Sequence, residues 1–189
     1  MYERSALASA RAGAPARWSS ERLTIEERPR QGAIALRLGG ESERRLGSKL
    51  LELDMDAQVG TAIERSDRAV LRLGPDEWLL LCKRDEEGRL ASELRQALAD
   101  QTSSAAPLGN GTVALEIAGP QLRAFLAHGT SLDLHPRAFG PGRCAATGFG
   151  KIRVLLWQRD AERLLLLVGR SFARSFWDWA IDVARQWSR

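Results

Sequence analysis

From Ala33 onward the alternation of apolar and polar positions runs through the same order twice. The run Ala33-Ile34-Ala35-Leu36-Arg37-Leu38 reads as a strand, Gly39-Gly40 breaks it, and Leu46 with Leu50 marks one face of a short helix that Gly47 weakens. Strands are expected over residues 69–73 and 78–83. Between them Gly74-Pro75-Asp76-Glu77 forms a turn, in which Pro75 presets the first central dihedral and Asp76 suits the second. A helix over about residues 85–100 closes the half. Its acidic start, Asp85-Glu86-Glu87, suits the positive end of the helix dipole, and Leu90, Leu94 and Leu98 form its buried stripe.

The second half repeats the order. Residues 112–117 read as a strand, and Gly119-Pro120 opens a helix with proline at its first position, which Gly129 stops. After a Pro/Gly-rich crossover over residues 132–143, strands are expected at 151–158 and 162–168, joined through Arg159-Asp160-Ala161. A long helix ends the pattern. The fold class is therefore α+β and internally duplicated: strand, helix, hairpin, helix, twice, with helices packed on one face of antiparallel sheets. The halves cover about residues 31–102 and 111–189 of a single domain. Residues 1–30 read as a flexible arm, because the first twenty are rich in Ala, Ser and Arg without strand alternation or an apolar stripe. An organellar targeting peptide shares that composition, whereas a secretory signal would need an apolar core this segment lacks. Trp18 is a candidate anchor for the arm.

The last helix carries a further inference. Arg174, Asp178, Asp182, Arg185 and Arg189 gather on one narrow arc, while Phe172, Phe176, Trp177, Trp179, Ala180, Ile181, Val183 and Trp187 fill the remainder. A helix lying on its own sheet needs an apolar stripe of about 100°, and this arc is about twice that. Either its own domain nearly engulfs it, or it offers tryptophans to another protein.

Composition narrows the function classes. The 189 residues carry 28 Lys and Arg against 24 Asp and Glu, a dense mixture of signs and weak support for nucleic acid. Ten cations against four acids make residues 134–189 the basic part. No apolar run approaches the roughly 20 residues of a membrane helix, so the expectation is a soluble, cytoplasmic protein. Cys82 and Cys144 form no CxxC pair, which excludes a zinc ribbon, an iron–sulfur motif and a small disulfide scaffold.

Motifs for chemistry are mostly missing. Ser171 lacks the second glycine of a nucleophile elbow and reads as a helix N-cap. Gly148-Phe149-Gly150-Lys151 has neither the Ser/Thr nor the upstream glycine of a phosphate loop, and no GxGxxG opens a helix. His128 falls where it caps a helix end, and His135, two residues after Asp133, reads as part of a turn. A zinc site would need His135, Cys144 and every other candidate nearby. Arg137, Arg143, Arg153, Arg159, Arg163, Arg170 and Arg174 could grip carboxylates or phosphates, although a solvated surface or a charge-matched protein interface explains them as well. No catalytic, cofactor-binding or metal residue is expected on this chain.

Four pieces in order carry a resemblance: Leu73-Gly74-Pro75-Asp76-Glu77-Trp78-Leu79-Leu80; then Leu132-Asp133-Leu134-His135-Pro136-Arg137-Ala138-Phe139, continued by Pro141-Gly142-Arg143-Cys144; then Gly150-Lys151; then Arg170-Ser171-Phe172-Ala173 before a Trp-rich helix. Over roughly residues 32–187 the chain resembles the gamma subunits of heterotetrameric sarcosine oxidases, and with them the similar subunits of N-methylglutamate dehydrogenase assemblies. It departs from that pattern at residues 103–110, and residues 53–68 are short on pattern. The resemblance implies a fold like the folate-binding domain of aminomethyltransferases and a non-catalytic subunit serving assembly and stability. It implies alpha, beta and delta partner subunits that hold FAD, FMN, NAD, tetrahydrofolate and zinc. Oxidative demethylation of sarcosine to glycine would take place on the partners. A stand-alone folate-binding or one-carbon protein of the same fold is the rival expectation.

Overall fold

The structure, a computed structural model, describes Leu7 and residues 16–29, 31–99 and 101–188. Two compact units divide the chain: residues 30–109 form one, and residues 1–29 with 110–189 form the other.

In the continuous unit, strand β3 (Gln31–Leu38) leads to helix α1 (Glu41–Leu51), a three-strand meander β4 (Ala62–Arg65), β5 (Arg68–Arg72) and β6 (Glu77–Lys83), helix α2 (Glu87–Ala97) and strand β7 (Ser103–Pro107). All pairings are antiparallel, in the order β4-β5-β6-β3-β7. Alternate residues of the central strands, Ile34, Leu36, Leu38, Val70, Trp78 and Leu80, join Leu90, Ala91 and Leu94 of α2 and Leu98 at its C-cap in one core. The stripe read from the sequence is thus the face α2 buries. Helix α1 differs from expectation: it buries Glu43, Gly47 and Leu51, and Leu46 stays exposed. Gly47 faces Leu38 and Met55, at ordinary van der Waals distance for a Cβ placed there.

The second unit repeats the order with strand β8 (Thr112–Ala118), helix α3 (Leu122–Ala127), strands β9 (Cys144–Phe149), β10 (Ile152–Asp160) and β11 (Arg163–Gly169), and helix α4 (Arg170–Ala184). Its sheet runs β1-β2-β8-β11-β10-β9, again antiparallel, where β1 (Arg17–Ser19) and β2 (Thr24–Glu27) come from the segment read as an arm. Trp18 packs against this unit's core beside the buried Leu23 and Ile25. Residues 1–6 and 8–15 lie outside the described residues.

Matching β3 with β8, α1 with α3, β4–β6 with β9–β11 and α2 with α4 brings out the duplication, and with it an exchange. The strand that precedes the first repeat, β2, pairs with β8 of the second, whereas the strand that precedes the second repeat, β7, pairs with β3 of the first. The α+β, duplicated, antiparallel architecture is therefore as expected. Helix α3 starts later than predicted, with Pro120 in the turn before it and Gln121 as its N-cap.

Candidate functional site

The residues singled out for chemistry take structural positions. His128 is the C-cap of α3, where Nδ1–H donates to the Ala124 carbonyl (2.8 Å) and the ring meets Trp187 edge to face, centroids 5.8 Å apart. His135 closes a turn: its N–H donates to Asp133 Oδ1 (2.9 Å), and its Nδ1 accepts from the Arg137 N–H (3.2 Å). Among the described residues no three His, Cys, Asp or Glu gather as metal ligands, and His135 and Cys144 are not brought together as a site. Ser171 is not a cap. Gly169 holds that position, and Ser171 is exposed within the first turn of α4. Both thiols are buried, and neither forms a disulfide among the described residues. Burial pushes the Cys144 thiol up to about 12 against the slight pull of Arg143. Burial, aided by the charges of Glu87 and Glu86, pushes the Cys82 thiol up to about 11. Neither is an activated nucleophile.

The recognisable sequence pieces are anchored by side chains the sequence did not mark. In the turn Gly74-Pro75-Asp76-Glu77, the N–H groups of Leu73 and Gly74 both donate to the Glu77 carbonyl. Trp78 behind it is buried, its Nε1–H donating to the Met55 carbonyl (3.2 Å). Arg72, paired with Trp78 across the β5–β6 ladder, lays its guanidinium over the indole (5.1 Å) and donates to the carbonyls of Ala57 (2.9 Å) and Pro75 (3.1 Å). In the crossover, Arg123 of α3 donates to the carbonyls of Leu134 and Phe139, and Phe139 is buried. Gly140 allows the close return, since a Cβ there would strike the Pro136 carbonyl oxygen. What these motifs fix is loop shape, and no periodicity could have marked Arg72 or Arg123.

The last helix settles the question of its wide apolar arc. Ala173, Phe176, Ala180 and Ala184 are buried, and Trp177, Trp179, Ile181, Val183 and Trp187 pack half-buried against the same core. Trp179 lies 5.0–5.9 Å from the rings of Phe149, Phe125 and Phe176. Its own unit covers the apolar arc except at Phe172, which is 52% exposed, while Arg174, Asp178 and Asp182 keep the polar arc in solvent. The arginines divide. Arg174 pairs with Asp178 (3.0 Å), Arg163 with Asp160 (3.7 Å), and Arg159 stacks on Trp157 while facing Glu116 (3.9 Å). Arg137, Arg143 and Arg153 pair with no carboxylate among the described residues.

The model of the sarcosine oxidase gamma subunit family matches residues 48–186. The sarcosine oxidase subunit gamma of Corynebacterium sp. (strain P-1) is 36% identical over 120 residues, 64% of this chain and 58% of that one. The chain spans less than two thirds of the length of the curated relatives it matches. Among solved structures, a chain of the heterotetrameric sarcosine oxidase from Corynebacterium sp. U-96, determined in complex with pyrrole 2-carboxylate, superposes with a TM-score of 0.82 at 29% identity, covering 92% of this chain and 89% of that one. The glycine cleavage system aminomethyltransferase T from Bartonella henselae shares the fold at 13% identity, with a TM-score of 0.63 over 86% of this chain and 46% of that one.

Proposed function

The chain belongs to the sarcosine oxidase gamma subunit family, and on that premise we propose that it is the non-catalytic subunit of a sarcosine oxidase-like heterotetramer, serving its assembly and stability. The observation that carries this reading is the superposition on a heterotetramer chain across nearly the whole of both. The side chains agree with it: the histidines close a turn and a helix, the thiols are buried, and the best-marked motifs shape loops. In this reading partner subunits of alpha, beta and delta type hold FAD, FMN, NAD, tetrahydrofolate and zinc. They oxidise sarcosine to glycine, or N-methylglutamate in the related dehydrogenase assemblies. A cytoplasmic setting goes with two cysteines that form no disulfide among the described residues; among the described residues no helix is long and apolar enough to cross a membrane.

The test is to tag the chain in its source cells, purify it gently and record the mass and visible spectrum of what comes with it. A yellow complex far heavier than 20.9 kDa that oxidises sarcosine is the expected result. A colourless monomer that binds tetrahydrofolate in calorimetry would replace this reading with the stand-alone folate-binding one, which the aminomethyltransferase likeness of the fold makes the alternative.

A further inference from the structure

Four strands form the edges of the two sheets, and three are guarded in the ways that keep sheet edges from pairing with other chains. Strand β1 has three residues and begins with Arg17, β4 carries Glu64 and Arg65, and β7 ends in Pro107. Strand β9 has none of these devices. Its six residues, Cys-Ala-Ala-Thr-Gly-Phe, include no charge and no proline.

The hairpin geometry says which backbone groups of β9 face outward. Phe149 and Ile152 are paired across the two-residue turn Gly150-Lys151, with Gly150 at positive φ (58°), so that pair exchanges hydrogen bonds. Bonded pairs recur at every second position, which makes Thr147/Val154 and Ala145/Leu156 bonded as well. The Gln158 N–H, which donates to the Arg143 carbonyl (2.9 Å), keeps the same phase. The N–H and C=O groups of Ala146 and Gly148 therefore point away from β10. Both residues are exposed, and their N–H groups meet no acceptor among the described residues.

Two further observations say what fits there. Among the described residues a Cβ on Gly148 would meet only the Gly150 carbonyl oxygen, at 3.9 Å, so no contact there calls for glycine. Glycine inside a strand recurs where another backbone comes close. The second observation is charge. From Leu134 to Arg159 the sequence has five cations and no acid. Arg143 stands at one end of β9, with Lys151 and Arg153 at the other, none of them paired with a carboxylate among the described residues.

We propose that the outer edge of β9 receives an extended, acidic segment of another subunit as an added strand; the proposal rests on the subunit reading above. Main-chain hydrogen bonds to Ala146 and Gly148 supply the pairing, and the flanking cations select acidic residues at the segment's ends.

Hydrogen exchange of the amides of Ala146 and Gly148 tests it, measured on the full-length chain alone and after assembly with its co-expressed partner subunits. Both amides are expected to be protected only in the complex. Ala146→Pro removes an outward donor and leaves the ladder to β10 intact, and is expected to weaken assembly about tenfold or more. Should that variant fold poorly, the double variant Lys151→Glu with Arg153→Glu leaves the backbone untouched, and is expected to lower assembly about tenfold at low salt and less at high salt. Assembly without protection of these amides, or with both variants at wild-type strength, overturns the strand-edge proposal and leaves the subunit reading standing. A wild-type chain that joins no partner overturns both. Protection of the lone chain as its concentration rises would make the occupant a second copy and overturn the acidic-segment assignment.

Discussion

Glu87 is a carboxylate at the start of α2, buried and fully engaged: one oxygen accepts from the N–H groups of Ala33 (3.1 Å) and Gly109 (3.0 Å), and the other meets Arg84 (3.3 Å). The sequence suggested only that an acid suits this end of a helix. Its larger task is to satisfy backbone donors from two distant segments. Glu87→Ala should therefore lose about 1–3 kcal/mol in urea unfolding, and Glu87→Gln, which keeps an acceptor, should lose less. The two cysteines make a prediction about pH. Both titrate higher in the folded chain than their ordinary value of 9.0, Cys82 at about 11 and Cys144 at about 12. Above pH 9 the unfolded chain gives up thiol protons that the folded chain keeps, so stability falls with rising pH. The contribution is complete below pH 9 and is lost toward pH 11 and 12, a slope that Cys82→Ala with Cys144→Ala should flatten in denaturant titrations. The histidine roles were legible because they are local, made with backbone within a few residues.

At the scale of elements, space decides between like substitutions. A methyl group on Gly129 would drive into the ring of Phe149, which is wedged against Phe176 and Trp179. Gly88, inside α2, has nothing within 4 Å. Gly129→Ala is expected to destabilise by about 1–3 kcal/mol and Gly88→Ala to stabilise by about 0.5–1 kcal/mol, both read from unfolding midpoints. Helix α4 gives a second contrast. Phe172→Ser should change stability by no more than about 0.5 kcal/mol, whereas Trp177→Ser, on a side chain packed against the core, should lose about 1–3 kcal/mol. Strands β3, β5, β6, β8, β10 and β11 were legible from their large apolar residues. Strands β4, β7 and β9 were not, because edge strands built from Ala, Ser, Thr and charged residues bury too little to impose a pattern.

Across the whole molecule the exchange of leading strands makes the N-terminal segment part of the second unit. Leu23 and Ile25 fill that unit's core, and β2 covers the edge of β8, reinforced by Arg28 bonded to Glu116 at 2.5 Å. Removing residues 1–29 should therefore lower hydrogen-exchange protection in β8, β10 and β11 far more than in β3, β5 and β6. A chain whose first segment was merely an arm would show no difference. The sequence by itself determined the α+β class, the duplication, the order of strong elements, the buried stripe of α2 and the roles of the histidines. Each of these rests on residues close in sequence, whose spacing physics reads directly as period 2 or 3.6. Tertiary structure alone decided that β2 and β7 trade places and that Arg72 and Arg123 gather distant carbonyls. It also decided that the apolar arc of α4 is covered except at Phe172 and that β9 pairs on one side only among the described residues. Those outcomes depend on which segments far apart in sequence meet, and no local periodicity records that.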